Sequence, residues 1–496
     1  MHWFAVDPRG RINLFRFKSR VMAGAIAVLA VCGASALPVA SAGSAGLAAS
    51  GFPPPVPAVS DYQLLTASIT PPTEAQCFAV GRRCFTPTAM QNSYNLPPLL
   101  KAGNEGQGVT IAIIDSFGNP NMASDLANFN TQMGLPHMCG EPGQACGPGI
   151  PTFQHMYWNG TTQVKAPPPG SNGTGLQNRD AWTLETALDV EWAHAMAPLA
   201  NIINVTTNPA ETQGVQGFPT MMNAEQFIVD HHQATVITQS FGATEEGFGS
   251  TQSLLNLRHA FVSAAASGVT VLASSGDGGS ANSKKTPVKN PSVVPHPTVN
   301  WPASDPLVTS VGGTYLCTNP VTGMGVDSAD PPSTCQANPG VREIGWIDSG
   351  GGFSHVFATP GYQNTLPAGS TPIGAMRGVP DVAFQASART GPLVYDTGAG
   401  AGGWFIVGGT SCSAPQWAGL VAIADQIAGH GLGQINPTLY RLASGPNYGT
   451  YFFDVTTGNN QADPNIPGYP ATTGWDPVTG LGTPNAATLV PALAAG

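Results

Sequence analysis

The chain has 496 residues, of which only 9% are charged; 28 acidic against 18 basic side chains leave a net charge of −10 at pH 7. That balance excludes a basic nucleic-acid-binding surface. A surface so poor in carboxylates gains little net positive charge on acidification, which suits an acidic workplace.

The first 42 residues read as an export leader: Arg9, Arg11, Arg16, Lys18 and Arg20, an apolar run from Val21 to Val31, then Ala40-Ser-Ala42 as a small-residue cleavage site. The apolar run is well short of the roughly 20 residues that span a bilayer, so cleavage is expected rather than anchoring. Residues 43–84, with Pro53-Pro-Pro-Val-Pro57, read as a Pro/Ala/Ser-rich linker or short arm, and order is expected from near Phe85. From there, residues 85–496 read as one large catalytic domain.

Apolar strands then alternate with amphipathic helices. The pattern predicts a strand over 109–115, helices over 122–133 and 181–196, and a strand over 201–205. A helix over 224–232, a strand over 235–239, a helix over 252–266 stopped by Gly268 and a strand over 269–274 follow. Short connections with helical crossovers imply an α/β fold with a mainly parallel sheet flanked by helices on both faces. Chemistry in such sheets gathers at the carboxyl ends of strands, where Asp115, Ser240 and Asp277 fall. Residues 136–180, 278–300, 318–345 and 458–473 read as loops.

Of eight cysteines, Cys32 lies in the leader and Cys412 beside a candidate nucleophile. The other six form close couples: Cys77 with Cys84, Cys139 with Cys146, Cys317 with Cys335. Six cysteines allow fifteen pairings, of which local pairing is the simplest. Sequons begin at Asn159, Asn172 and Asn204.

Glu185 and Asp189 stand four apart on the expected helix, which puts both carboxyls on one face. A solvated acidic face is the ordinary explanation of such a pair, but Leu184, Leu188, Val190 and Trp192 make this segment unusually apolar. Carboxyls among apolar neighbours titrate high and can share a proton. His194 is about half a turn out of phase with Glu185, and no histidine has a recognisable catalytic or metal-ligand spacing. Ser411, in Gly-Gly-Thr-Ser411-Cys-Ser-Ala-Pro415, opens an apolar helix expected over 414–427, with Pro415 in its first turn. A hydroxyl there meets the free N–H groups of a helix start. The alternative is a plain N-cap serine.

Asp277 follows a strand in Ser-Ser-Gly-Asp277 and donates a hydrogen bond only when protonated, or else is a turn residue. Thr238-Gln-Ser-Phe-Gly242 and Ser349-Gly-Gly-Gly-Phe353 read as a strand end and a glycine loop that let a substrate backbone approach closely. Asp454 and Asp476 flank a glycine-containing loop and offer hard oxygen ligands, or serve as turn formers.

Taken in order, these segments resemble the sedolisin family, the serine-carboxyl peptidases, from about Phe85 to Asn485. Also similar are Thr110-Ile-Ala-Ile-Ile-Asp115, Trp301-Pro-Ala-Ser-Asp-Pro306, Arg377-Gly-Val-Pro-Asp-Val-Ala383 and Trp475-Asp-Pro-Val-Thr-Gly-Leu-Gly-Thr-Pro484. The resemblance implies a subtilisin-like fold and a secreted endopeptidase or tripeptidyl-peptidase active at acid pH. It implies Ser411 as nucleophile, Glu185 as base, Asp189 as its partner and Asp277 as oxyanion acid. It also implies one structural Ca2+ held by the Asp454 and Asp476 side chains and the carbonyls of Val455, Thr472 and Gly474. The expected protein is a monomer acting on protein or peptide substrates, with no nucleic-acid partner and none in the membrane once the leader is removed. The rival readings are a catalytically silent secreted binding protein on the same fold and a histidine-dependent neutral peptidase.

Overall fold

The structure, a computed structural model, describes residues 61–164, 176–207, 217–283, 293–329, 333–398 and 402–496, with side chains of the second segment from 181, and backbone pairs at 5–6, 12–13 and 56–57. Met1–Ala49 and Ser50–Gly496 form separate units. In the first, Ala5–Val6 pairs antiparallel with Ile12–Asn13. The expected leader and its cleavage site otherwise lie outside the described residues.

Order begins earlier than the composition of 43–84 suggests. Strand β1 (Asp61–Thr66) adds antiparallel to a strand from the far end of the chain, β14 (Gly403–Gly408). Arg82 clamps it through two bonds to Asp61, at 2.7 and 3.1 Å. A few pairing contacts of this kind order a segment whose composition alone argues for a linker.

A nine-stranded sheet organises the larger unit. Its strands are β2 (Thr110–Ser116), β3 (Phe153–Trp158), β4 (Asn201–Thr207), β5 (Val236–Gln239), β7 (Thr270–Ser274), β9 (Thr309–Leu316), β10 (Glu343–Gly345) and β13 (Val382–Gln385), with Gln163–Val164 at one edge. From β3 the order runs β3-β4-β2-β5-β7-β9, all parallel; β13 also joins β9 in parallel, while β10 and Gln163–Val164 pair antiparallel. The expected mainly parallel sheet is therefore present.

Helices cover both faces, and β2 shows why. Its successive side chains alternate sides, so Ile111 and Ile113 enter one core cluster and Ala112 and Ile114 the other. The first cluster takes the apolar faces of α1 (Met122–Met133), α2 (Leu176–Met196) and α5 (Thr410–Ala428). The second takes α3 (Gly217–Asp230) and α4 (His259–Ala266). From Trp182 to Met196 no residue of α2 is exposed. Pro198 then stops it, and α5 ends where Gly429 turns left-handed at φ 76°.

Several boundaries shift. The segment expected as one helix over 252–266 is two, Thr251–Leu255 and α4. β3 lies inside the stretch 136–180 expected as loop, and Ser333–Ala337 and β10 inside 318–345. Glycine, proline and threonine around these elements hide the short apolar runs. All three local disulfides form: Cys77–Cys84, Cys139–Cys146 and Cys317–Cys335. No helix among the described residues is long and apolar enough to cross a membrane.

Below the sheet ends, β12 (Met376–Val379) carries Arg377 into the interior. Its guanidinium makes a two-bond pair with Asp381, at 3.0 and 2.9 Å, and donates to the carbonyls of Ser304, Val308 and Ala303 and to Tyr362. Asp381 in turn accepts from the Ser310 amide and the Tyr440 hydroxyl. Neither Arg377 nor Asp381 is exposed at all.

Candidate active site

α2 and α5 pack side by side against the sheet, and each delivers one half of the acid and hydroxyl cluster. Glu185 and Asp189 project from α2, and Ser411 stands in the first turn of α5; all three are fully buried. α5 begins at Thr410 with Gly409 as its N-cap, four residues before the start the sequence suggests. Pro415 is therefore inside the helix rather than in its first turn. Its missing N–H is the one that would bond the Ser411 carbonyl, a local loosening directly under the hydroxyl.

Ser411 Oγ and both carboxylate oxygens of Glu185 are buried without a hydrogen-bond partner among the described residues. The hydroxyl is nonetheless near enough to Glu185 to favour its charged form. The pair is close but not in bonding geometry. Burial first, and then the charge of Asp189, push Glu185 well above the usual carboxyl range. Asp189 is likewise pushed well up by burial and by Asp115, against one bond of 2.9 Å from Ser240 Oγ. The two acids on one helix face thus form a desolvated pair in which burial and mutual repulsion favour the protonated form.

Asp115, at the end of β2, is pushed up to about 7 by burial, opposed by hydrogen bonds from Asn204 and Thr186. The Asn204 amide reaches it at 2.7 Å. Asn204 is fully buried in β4, so that sequon is inaccessible in the folded protein. Asp277 follows β7, and its Oδ1 accepts from the Thr410 amide at 2.8 Å and the Thr410 hydroxyl at 2.9 Å. This brings the Asp277 carboxyl against the start of α5, one residue from Ser411. Thr410, Ser240 and Asn204 complete the cluster. Of these the sequence singles out Ser240 for its strand end and Asn204 as the start of a sequon, while Thr410 stands in the Gly-Gly-Thr-Ser411 segment without a role of its own.

The histidine alternative finds no support in this geometry. His194 Nε2 bonds the Pro136 carbonyl at 2.9 Å, and burial pushes the ring down to about 4. Cys412 is also inert: burial, and then Asp277 and Glu185, raise its thiol well above the usual range, so it is no thiolate.

The glycine loop behaves differently from expectation. A Cβ on Gly350 would lie 2.2 Å from the Ser275 carbonyl oxygen, and one on Gly351 1.8 Å from that of Pro477. These glycines serve close packing within the chain, bringing the loop against the strand end that leads to Asp277. At the other candidate segment, β6 (Phe241–Thr244) pairs on one side with β8 (Asn300–Trp301). On the other side Phe241–Gly242 pairs antiparallel with the chain's own Val56–Pro57.

At the C-terminal loop the Asp454 carboxylate accepts from the Gly474 amide at 3.1 Å and the Tyr448 hydroxyl at 3.2 Å. Asp476, fully buried, accepts from the amides of Thr472, Val478 and Thr479. Both carboxylates act electrostatically on the Tyr448 hydroxyl, so they flank one spot. No hydrogen bond to the Val455, Thr472 or Gly474 carbonyl occurs among the described residues. The donor set available there is all oxygen.

The buried acids set the sign of stability against pH. Asp115, pushed to about 7, and Asp425, pushed to about 6, each by burial, bind a proton more tightly folded than unfolded. Their stabilisation is complete below the unfolded value of 3.8 and is lost as pH rises through the folded values. The melting temperature is expected to be highest in acid and to fall between about pH 4 and about pH 7, and Asp115→Asn to flatten part of that slope. Calorimetry across the window decides the matter; a melting temperature that climbs with pH contradicts it.

No protein-family model matches the chain. Kumamolisin of Bacillus sp. is 31% identical over 431 residues, covering 85% of this chain and 65% of that protein. The tripeptidyl-peptidase SED1 of Arthroderma otae is 33% identical over 351 residues, covering 63% of this chain and 48% of that protein. Human tripeptidyl-peptidase 1 is 31% identical over 345 residues, covering 63% and 52%. The chain thus spans about half to two thirds of the length of the curated relatives it matches. In three dimensions it resembles Pseudomonas sedolisin, a serine-carboxyl proteinase solved with two molecules of pseudo-iodotyrostatin, at a TM-score of 0.61 and 24% identity over 82% of this chain and 97% of that one. That likeness shows the fold, and together with the sequence relatives it establishes that the chain belongs to the sedolisin family.

Proposed function

We propose that this protein is a secreted, acid-active serine-carboxyl peptidase that hydrolyses peptide bonds, as an endopeptidase or a tripeptidyl-peptidase. The observation that carries the reading is the Ser411 hydroxyl at the start of α5, buried beside the Glu185–Asp189 pair without a hydrogen-bond partner among the described residues, while the side chains that act on Glu185 are acids and Ser411 itself. Glu185 takes the Ser411 proton as the oxygen attacks the scissile carbonyl and returns it to the departing amine as the C–N bond breaks and the acyl-enzyme forms; a water that gives its proton to the same carboxylate then releases the acid and restores the serine. Asp189, bonded by Ser240, holds the second carboxyl of the pair, so that one proton and one negative charge are shared between them. Asp277, when protonated, donates to the developing oxyanion beside the helix start. That last step requires acid, because an ionised Asp277 repels the same charge.

A substrate strand could pair where one of the chain's own segments now lies. Phe241–Gly242 already accepts an extended segment, the chain's own Val56–Pro57, in antiparallel pairing. The three disulfides suit an exported protein.

The all-oxygen donor set of Asp454, Val455, Thr472, Gly474 and Asp476 fits a single Ca2+, whose charge would neutralise two desolvated carboxylates and tie the loop to the strand that precedes it. Asp454→Ala is expected to lower the melting temperature and to abolish its response to calcium. Equal melting of the wild type with calcium and with chelator would remove the ion from this account.

The function is tested by the pH-rate profile for hydrolysis of a mixed peptide library, with Ser411→Ala in parallel. Cleavage confined to acid and absent in the variant supports the proposal. Cleavage that persists above neutral pH, or in the variant, overturns it, and a folded wild type that cleaves nothing points to a binding protein.

A further inference from the structure

A second group of ligand-type side chains lies outside the acid cluster, where no spacing in the sequence suggests one. Glu246, His296 and His355 place one ligand atom each within 4.8 Å of one another. They come from three distant segments. Glu246 lies in the turn Glu245–Gly247 directly after β6, His296 in the stretch that leads into β8, and His355 in β11 (Gly352–Ala358).

The three are held by a shell of further bonds. Glu246 Oε2 accepts from the hydroxyls of Thr244, at 2.6 Å, and Thr298, which leaves Oε1 turned to His355 Nδ1. His296 Nδ1 lies 3.2 Å from the Pro297 carbonyl; donating there leaves its Nε2 as the free ligand atom. The His355 amide donates to Glu245 Oε2 at 2.7 Å, and Ser354 Oγ to Glu245 Oε1 at 2.7 Å, so β11 is fixed against the turn that carries Glu246. The two imidazole rings stand 5.0 Å apart between centroids. Ligand atoms within 4.8 Å of one another need shifts of only about 1 Å for two nitrogens and one oxygen to meet a common ion at about 2.0–2.2 Å each.

We propose that Glu246, His296 and His355 form a binding site for a borderline divalent transition ion of the zinc type. Two imidazoles and one carboxylate are the donors such ions select, whereas Ca2+ and Mg2+ prefer all-oxygen sets like that of the C-terminal loop. Three protein ligands leave the remaining coordination to water or to a group on another molecule. The cluster of Glu74, Cys77 and Cys84 is no competitor, because both of its sulfurs are spent in a disulfide. The ion would join the end of β6, whose Phe241–Gly242 edge takes an extended segment, to β11, which starts at the glycine loop.

The test is calorimetric titration of Zn2+ into the full chain at neutral pH, after chelator treatment and with Ca2+ kept in excess. One saturable site per chain is expected, weakened about tenfold or more in His296→Ala and in His355→Ala, and unchanged in His430→Ala, whose ring is exposed elsewhere. Glu246→Gln, which keeps the shape and the hydroxyl bonds but removes the charge, is expected to weaken zinc as well, with an unaltered circular dichroism spectrum showing that the fold survives. Absence of saturable binding to the wild type overturns the site, as does zinc binding of unchanged affinity in the His296→Ala/His355→Ala double variant. Neither outcome depends on peptide hydrolysis, so the site can fail while the peptidase reading stands.

Discussion

Glu185→Gln is expected to lower kcat by about 10²–10⁴-fold, the usual worth of a positioned general base, with little change in KM. Glutamine has nearly the same volume and fits the same fully buried position, so packing is conserved while the proton acceptor is lost. Ser411→Ala removes the nucleophile itself and should leave no acyl-enzyme at all. The double variant is expected to be no slower than Ser411→Ala alone, because the two groups act as one unit. Single-turnover kinetics at acid pH measures both. A Glu185→Gln enzyme with kcat within a few-fold of wild type would show that the proton leaves Ser411 by another route.

Asp381→Ala is the substitution with the largest expected cost to the fold. It strips the charged partner from a guanidinium that has no exposure, and it also removes the acceptor of the Ser310 amide and of the Tyr440 hydroxyl, which keeps only the bond it accepts from Gln363. Breaking one side of such a buried pair costs about 3–5 kcal/mol, because the remaining charge keeps its desolvation penalty and loses its compensation. The exposed Asp230→Ala should shift stability by about 0.5 kcal/mol or less. Denaturant unfolding of both variants with the slope compared to wild type separates the cases. An Asp381→Ala midpoint near that of wild type would mean the network relaxes around the loss.

How much of this was legible in the sequence depended on whether the signal was local. The α1 helix over Met122–Met133 was read to its ends, because its apolar spacing is regular and Gly134 turns left-handed after it. The sheet and its two helical layers followed from alternating strand and helix patterns. β3 was not, since Phe153–Trp158 carries His155 and Tyr157 among apolar residues and sits between glycine-rich flanks. β1 was missed because its order comes from a partner strand some 340 residues away. In the acid cluster, Glu185, Asp189, Asp277 and Ser411 were visible as segments with chemical character. Of their bonding partners, Ser240 was visible as a strand end and Thr410 as part of the Ser411 segment, but the bonds themselves were not. Thr410 matters through two bonds to Asp277, and Ser240 through one to Asp189, which only the fold creates. The Glu246, His296 and His355 group is the extreme case, assembled wholly by tertiary structure.

The seam between α2 and α5 has a consequence of its own. At Gly419 the two helices approach so closely that a Cβ would stand 2.6 Å from the Met196 Cβ and 3.1 Å from the Ala193 carbonyl oxygen. Gly419 lies about 12 Å along the helix axis from Ser411. Each helix is a stiff rod, one tipped with the hydroxyl and the other bearing the acids, and the absent side chain at the crossing gauges their separation. In the proposed mechanism the reach of the proton transfer is then set at a point that touches neither reacting group, and a single methyl group inserted there is expected to detune the chemistry while leaving every acid and the serine in the chain.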